Sequence, residues 1–239
     1  MQRYVKNFDS CIDLFKNLLS LWRHLFKLSR MKVIAINGSP HRKGNTWFAL
    51  KTVGDTLIGE GIDFEIIQIG NQSIHGCMAC RNCQVNQDNK CAIRTDEFNS
   101  YLLPIQEANG LILGSPVYYA GIAGTMKCFL DRLFYVSGSN GNWMRHKVGA
   151  SVVALRRSGG SVTWNSLNYY LTISEMTVAS SNYWNIIHGA REQEAEQDTE
   201  GIQIMQILGV NMAWLLKTKQ TSAILEPPYN KKLFLNFIR

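Results

Sequence analysis

Residues 31–46, MKVIAINGSPHRKGNT, decide the fold of this chain. Residues 32–36 form an unbroken apolar run without alternation, the pattern of a strand buried on both faces of a parallel sheet. A small and polar turn at 38–46 follows, and the apolar residues after it can continue as a helix. A strand, a turn and a helix in this order direct free backbone N–H groups and the positive helix end toward an anion. The stretch therefore predicts a phosphate site after the first strand.

The turn also carries the side chains that a phosphate site needs. Ser39, Asn45 and Thr46 supply hydroxyl and amide groups, and Arg42 and Lys43 supply positive charge. The turn has neither the Gly-Lys-Ser/Thr order of nucleoside triphosphate loops nor the Gly-x-Gly-x-x-Gly of dinucleotide sites. A first loop rich in Ser, Thr and Asn is typical of the flavodoxin-like sheet, where FMN lies between the first and third strands. An ordinary strand-to-helix turn with polar caps is the alternative.

Length and charge narrow the classes of protein. A chain of 239 residues has room for one α/β domain with additions, but hardly for two domains of average size. The net charge is +7, of which residues 1–30 contribute six Lys and Arg against two Asp, so the remainder is only mildly basic. Basic residues do not alternate with stacking aromatics, and no apolar run approaches the ~20 residues of a membrane span. We expect no nucleic-acid partner, no transmembrane segment and a cytoplasmic protein.

Residues 1–30 have an amphipathic helical pattern with basic residues outside the apolar stripe. Such a helix can lie on an anionic membrane surface or dock on a partner. Because the first buried strand follows Met31 directly, a chain starting there would still contain the whole domain. We interpret residues 1–30 as a dispensable amphipathic extension, with a docking helix as the alternative.

The rest of the chain alternates strands and helices. After a helix ending near residue 59, strands are predicted at 62–69, 110–114, 148–155 and 177–187, and helices at 123–134, 162–175 and 201–217. A further helix from residue 96, capped by Thr95, should be kinked or shortened at Pro104. Five strands alternating with helices predict a flavodoxin-like, doubly wound five-stranded parallel sheet with helices on both faces. We place this α/β domain at residues 31–218 and a C-terminal tail at 219–239.

A second predicted ligand loop, SPVYYAGIAG, follows the third strand at residues 115–124. The carboxyl ends of parallel strands meet at one sheet edge, so this loop should face the phosphate turn. Pro116 supplies stiffness, Tyr118 and Tyr119 supply a wall for a flat ring, and Gly121 permits close approach. A tyrosine-rich surface turn is the alternative.

A third loop, RRSGGS at residues 156–161, follows the fourth strand and should reach the same edge. Backbone N–H groups at Ser158 and Gly159 can face ring oxygens, and Arg156 can steady negative charge on a reduced flavin. A plain connecting loop explains the same residues equally well.

Four of the six cysteines, namely Cys77, Cys80, Cys83 and Cys91, fall within residues 74–94, which we call the cysteine loop. Two-residue gaps let a tight loop wrap several thiolates round one centre, as cubane iron-sulfur clusters require. Tetrahedral zinc also accepts four thiolates, but zinc sites more often use two separated pairs. We favour a [4Fe–4S] cluster, with free or redox-active thiols and zinc as alternatives. Cys128 lies in an apolar helical stretch and is predicted to be a core residue.

Residues 31–46, 115–132 and 156–160 resemble the NADPH-dependent FMN reductase superfamily of flavodoxin-like proteins. With the cysteine loop included, the chain is most similar to the iron-sulfur flavoprotein branch, and the resemblance covers residues 31–218. It implies that the FMN phosphate is bound by Ser39, Arg42, Asn45 and Thr46. It implies that the isoalloxazine ring is lined by Pro116, Val117, Tyr118 and Tyr119.

The resemblance implies an FMN-dependent oxidoreductase in which the protein sets the position and potential of the flavin. A cluster would exchange single electrons with FMN, and NAD(P)H is a possible donor. Related proteins form dimers or tetramers, in which cluster and flavin could approach across a subunit interface. The alternatives are a cluster-free NAD(P)H-dependent FMN or quinone reductase, a non-catalytic flavodoxin-like electron carrier and a zinc-stabilised binding module. No side chain is assigned as a catalytic acid or base.

Overall fold

The computed structural model describes residues 31–230 and Leu233. The predicted helix at residues 1–30 and most of the last nine residues lie outside the described residues. The strands are β1 (Lys32–Asn37), β2 (Asp63–Gln68), β3 (Gly110–Tyr118), β4 (Gly121–Ile122), β5 (Val148–Leu155), β6 (Thr177–Val178) and β7 (Ile186–His188). The helices are α1 (Asn45–Gly59), α2 (Asn82–Asn86), α3 (Leu102–Glu107), α4 (Gly124–Ser139), α5 (Gly160–Ile173) and α6 (Thr199–Thr221), with 3-10 turns at Glu97–Tyr101 and Glu194–Gln197.

The sheet has the order β2-β1-β3-β5-β6, and every neighbouring pair along this path is parallel. β7 also pairs with β5 in parallel, and β4 folds back on the end of β3 as a short antiparallel strand. The strand order reverses between β1 and β3, which is where flavodoxin-like sheets bind their ligands. The flavodoxin-like fold is confirmed, with seven strands in place of five.

The fifth predicted strand is interrupted. β6 pairs with the first two residues of β5, and β7 pairs with the last three. Between them the buried Asn185 donates its Nδ2 to the Ser151 carbonyl at 3.0 Å and accepts a hydrogen bond from Ser181 Oγ at 2.8 Å. A side-chain amide therefore replaces the backbone ladder along the middle of β5, and the single strand at residues 177–187 becomes two.

The two faces of the sheet carry separate hydrophobic clusters. In β1, Val33 and Ala35 belong to the cluster that contains residues of α1 and α6, whereas Ile34 and Ile36 belong to the cluster that contains residues of α4 and α5. β1 is therefore buried on both faces, as its unbroken apolar run predicts. Within residues 31–230, no helix combines the length and the apolar character needed to cross a membrane.

Several element boundaries differ from the prediction. β3 continues through Pro116 to Tyr118, so much of the second predicted loop is strand. The cap at the turn before α3 is Asp96, whose Oδ1 accepts the N–H of Phe98, so the predicted Thr95 cap was wrong. A short 3-10 turn replaces the first part of that helix, and Pro104 lies in the first turn of α3, where proline is tolerated. α6 extends four residues beyond the predicted end.

Candidate functional site

A pocket of about 450 Å³ opens at the carboxyl ends of β1, β3 and β5, at the point where the strand order reverses. We call it the switch-point pocket. Of the predicted site residues, those that line it are Ser39, Asn45, Thr46, Pro116, Val117 and Tyr118. The phosphate turn and the second loop therefore form two walls of one crevice. The pocket also contains Arg156 from the third loop.

One end of the switch-point pocket is the N-terminus of α1. Its N-cap residue is Gly44, in an extended conformation, and no side chain caps the first turn. Ser39 and Thr46 are 4 % and 2 % exposed at this end. No hydrogen bond joins the Thr46 hydroxyl to another residue in the part of the chain that the structure describes. Uncapped helix N–H groups beside buried hydroxyls are donors for an anion, so this end fits a phosphate.

The Asn45 side chain is engaged by the protein itself. Its Nδ2 donates to the Arg191 carbonyl at 2.8 Å, and its Oδ1 accepts from the Ala195 N–H at 3.3 Å. A Cβ on Gly189 would lie 2.7 Å from Asn45 Nδ2, so only glycine permits this approach. Asn45 thereby ties the loop at residues 189–195 to the start of α1.

That loop is a wall that sequence reasoning missed. Arg191, Glu192 and His41 line the switch-point pocket, and His41 Nδ1 lies 3.5 Å from Glu192 Oε1. The pocket thus gains a second arginine besides Arg156. The available signal was a glycine followed by a basic residue directly after the last strand, at Gly189 and Arg191.

The other end of the pocket is the β3–β4 hairpin. Tyr118 is 46 % exposed at the pocket, whereas Tyr119 points into solvent and does not line it. Tyr119 and Ala120 have φ values of 49° and 57°, so both turn residues are left-handed, as tight hairpins require. Gly121 lies in β4 and is also outside the lining residues.

The third loop, at residues 156–161, packs against this hairpin. Gly159 has φ +86°, and a Cβ there would lie 2.8 Å from the Ala120 Cα. Ser158 and Gly159 line an adjoining pocket of about 310 Å³, which shares Leu155 with the switch-point pocket. Arg42 is exposed and lines neither pocket.

The four cysteines of the cysteine loop line a second, much smaller space of about 20 Å³, the cysteine cavity. Cys83 and Cys91 are buried, whereas Cys77 and Cys80 are exposed, and all four are free thiols. Within residues 31–230, no group of three or more His, Cys, Asp or Glu side chains stands in metal-binding geometry. The donor set fits a thiophilic metal centre, but the loop does not present it ready-made. Cys128 is half-buried and does not line the cavity.

A buried arginine, Arg132 of α4, also lines the cysteine cavity. Its Nη1 lies 2.5 Å from Asp96 Oδ2, and its Nη2 lies 3.1 Å from Asp96 Oδ1. Burial alone would raise the pKa of Asp96, but hydrogen bonds from Arg132 and the His75 N–H lower it overall. The pKa of the Cys83 thiol is raised, chiefly by burial and further by the nearby Cys91. Sequence reasoning missed this ion pair.

The two sites lie apart within the chain. No described residue lines both the switch-point pocket and the cysteine cavity. α4 begins at Gly124, after the hairpin, whereas the cavity contacts Arg132, Tyr135 and Val136 in its second half. At about 1.5 Å per residue, these residues lie roughly 12–18 Å along the helix from its start.

The family model described as NADPH-dependent FMN reductase matches residues 31–191. An iron-sulfur flavoprotein of Methanocaldococcus jannaschii is 31 % identical over 194 residues, covering 78 % of this chain and 98 % of that protein. The chain belongs to the NADPH-dependent FMN reductase family, in its iron-sulfur flavoprotein branch. As a member of this family it is an FMN-dependent oxidoreductase.

Solved structures of other proteins share this fold. RosB, in a structure with bound 8-demethyl-8-formylriboflavin-5′-phosphate, superimposes with a TM-score of 0.63 at 14 % identity, covering 87 % of this chain and 93 % of RosB. A flavodoxin from the domain Archaea gives a TM-score of 0.50 at 18 % identity, covering 78 % and 99 %. At these identities the likeness shows the shared flavodoxin-like architecture.

Proposed function

We propose that FMN binds in the switch-point pocket with its phosphate at the N-terminus of α1. The observation that supports this most is the uncapped first turn of α1, with Ser39 and Thr46 buried beside it, in the same pocket as Tyr118. The phosphate would accept hydrogen bonds from both hydroxyls and from the backbone N–H groups of Asn45 and Thr46. Arg42, exposed on the same turn, would add positive charge from outside.

The isoalloxazine ring would rest against the β3–β4 hairpin. Pro116, Val117 and Tyr118 offer an apolar and aromatic wall there. Tyr119 and Gly121 shape the turn that presents this wall, and backbone N–H groups of Ser158 and Gly159 would approach the ring edge from the third loop.

The positive charges around the pocket would favour the anionic cofactor. Arg156 and Arg191 both line it, while Glu192 is paired with His41. FMN supplies the redox chemistry when bound, taking up electrons singly or in pairs. The chain's own part is to hold the phosphate, support one face of the ring and keep cationic groups near the place where negative charge develops.

We propose further that Cys77, Cys80, Cys83 and Cys91 hold a [4Fe–4S] cluster. Four soft thiolates around one cavity suit such a cluster, and curated relatives are named iron-sulfur flavoproteins. The cluster would supply single electrons. Because no described residue lines both sites, we propose a homo-oligomer in which the cysteine cavity of one chain approaches the switch-point pocket of another.

Anaerobic purification followed by a visible spectrum and iron and sulfide assays tests this function. We expect flavin absorption with about four iron and four sulfide per chain. Iron-free protein with intact FMN would show that the cysteines hold no cluster. Zinc in place of iron would show that they bind a structural metal. Colourless protein after incubation with FMN would contradict the flavin site itself.

A cluster-free NAD(P)H-dependent FMN or quinone reductase is the second candidate. The exposure of Cys77 and Cys80, and the absence of a preformed metal-binding group within residues 31–230, favour it. It predicts that iron-free protein still oxidises NAD(P)H at the rate of the untreated protein. The electron donor would then be NAD(P)H. With either function, we propose that the protein acts in the cytoplasm.

A further inference from the structure

Arg132 is a full charge in the interior of the protein. Its side chain is 0 % exposed, and its guanidinium lies 4.0 Å from the centre of the Phe98 ring. A buried charge is tolerated only when it is paired and its donors are satisfied. The surroundings of Arg132 should therefore account for each of its N–H groups.

Asp96 and two carbonyls account for the terminal nitrogens only. Nη1 donates to Asp96 and to the His75 carbonyl at 3.2 Å, and Nη2 donates to Asp96 and lies 3.4 Å from the Ile93 carbonyl. Nε is buried and has no hydrogen-bond partner among the described residues. An unpaired buried donor is costly, so this N–H is suited to an acceptor on the side of the guanidinium that faces away from Asp96.

Cys91 and Arg132 line the same cysteine cavity. Asp96 and the two carbonyls occupy the N–H groups of Nη1 and Nη2, which leaves the buried Nε as the donor that is free for the Cys91 sulfur. The backbone of Cys91 is fixed independently by Asn99, which accepts the Cys91 N–H at 2.8 Å and donates Nδ2 to its carbonyl at 3.0 Å. One of the two buried cysteines is thus held at its backbone, in a cavity that it shares with a buried cation.

We propose that Arg132 is a positioning residue of the cysteine site, which donates its Nε–H to the sulfur on Cys91 and makes the bound cluster easier to reduce. This inference rests on the proposed [4Fe–4S] cluster. Asp96 keeps the guanidinium in place from the opposite side. The role belongs to this buried ion pair and is separate from the four ligands.

The expected direction follows from charge. Reduction adds an electron to a cluster whose thiolates and sulfides are already negative, so a cation and N–H donors at a sulfur stabilise the reduced form more than the oxidised form. A hydrogen bond to a charged group is worth about tenfold or more in an equilibrium constant, and only the part that is stronger in the reduced form shifts the potential, so we expect about a tenfold effect on the reduction equilibrium. For a one-electron couple, that factor lowers the midpoint potential by about 59 mV.

The test compares holoprotein variants purified without oxygen. Arg132→Lys keeps the charge and can still pair with Asp96, but it lacks the Nε donor. The double variant Arg132→Gln with Asp96→Asn removes the charge without leaving a buried carboxylate unpaired. The matched control is Lys127→Gln, since Lys127 is on the same helix but is 51 % exposed and pairs with Asp131.

The readouts are the midpoint potentials of cluster and FMN and the half-time of iron release to a chelator. We expect both Arg132 variants to lower the cluster potential and release iron several-fold faster, with the double variant showing the larger change. The FMN potential and all values of the Lys127→Gln control should stay near those of the wild type. A folded, FMN-loaded Arg132 variant that fails to retain iron would also support the role.

Two results would overturn the inference, and they differ. Iron-loaded wild type whose cluster potential and iron release match those of both Arg132 variants would overturn the role of Arg132 alone. Wild type that contains FMN but neither iron nor sulfide would overturn the proposed cluster, and this inference with it.

Discussion

The switch-point pocket and the cysteine cavity are built in opposite ways. The first is a space of about 450 Å³ whose walls are strand ends, a helix N-terminus and tight turns. The second is a space of about 20 Å³ formed by a loop, with two thiols buried, two exposed and one ion pair between Arg132 and Asp96 behind them. The backbone forms one site, and side chains form the other.

The fold alone forms the switch-point pocket, whereas a bound ligand would have to bring the thiols of the cysteine site together. The order β2-β1-β3-β5 brings the strand ends together whatever is bound there. The cysteine loop contains left-handed residues at Ala79, Arg81 and Gln87, and its thiols are not in metal-binding geometry. We therefore expect the switch-point pocket to survive changes in the cysteine loop, while the cysteine site depends on a few side-chain contacts.

The largest expected effect is on stability at the cysteine cavity. Arg132→Met leaves the Asp96 carboxylate, 2 % exposed, buried without its partner, which should cost about 3–5 kcal/mol of unfolding free energy. Urea denaturation of the apoprotein measures this loss of unfolding free energy. Lys127→Met removes an exposed charge from the same helix and should cost less than about 1 kcal/mol. Equal losses in the two variants would show that the buried pair does not anchor this region.

The next effect is on cofactor affinity at the switch-point pocket. Ser39→Ala combined with Thr46→Val removes two hydroxyls from the proposed phosphate end and should weaken FMN binding by about 100-fold or more, because each bond to a charged group is worth about 1.5–3 kcal/mol, or at least about tenfold in Kd. Quenching of flavin fluorescence measures the Kd. Thr52→Val is the matched control, since that hydroxyl bonds to the Phe48 carbonyl at 2.9 Å inside α1. An unchanged Kd in the double variant would show that the phosphate does not bind at this end of the pocket.

A smaller effect is expected at the turn behind the ring. Gly159→Ala and Gly141→Ala both place a methyl group on a left-handed residue, with φ values of +86° and +84°. Each should cost about 1–2 kcal/mol of stability. Only the Gly159 methyl would press on Ala120, whereas nothing lies within 4 Å of the position at Gly141. We expect several-fold weaker FMN binding from Gly159→Ala alone, and equal FMN affinities would contradict the proposed ring position.

The smallest effect is a pH dependence. Burial opposes ionisation of Asp96, but hydrogen bonds from Arg132 and His75 hold its pKa below the usual value. Because the pKa is lower in the folded state, this stabilisation is complete above about pH 4, the unfolded value, and is lost as pH falls through the folded one. The unfolding free energy of the wild type should fall in acid, and the gap between it and the unfolding free energy of Asp96→Asn should narrow. A gap that is constant from pH 5 to pH 2 would contradict this linkage.

Sequence patterns predicted the strands and turns whose formation depends on local residue composition. The run at residues 32–36 and the turn after it became β1 and the start of α1, and the strand at 148–155 has its predicted bounds. These predictions were correct because burial on both faces and turn composition can be read from neighbouring residues in the chain.

Contacts between distant side chains were not predictable in the same way. Asn45 meets Arg191 across 146 positions, and Arg132 meets Asp96 across 36. Asn185 interrupts a strand because its amide replaces the backbone ladder at Ser151. Such pairings depend on the assembled fold, and no local spacing in the sequence indicates them.

The most direct test of the account is the cofactor content of the double variant Cys77→Ser, Cys80→Ser, purified without oxygen. Both residues are exposed, so the change should leave the fold intact while removing two proposed ligands. The account predicts loss of iron and sulfide with one FMN per chain retained at wild-type affinity. Loss of FMN together with the iron would contradict the independence of the two sites.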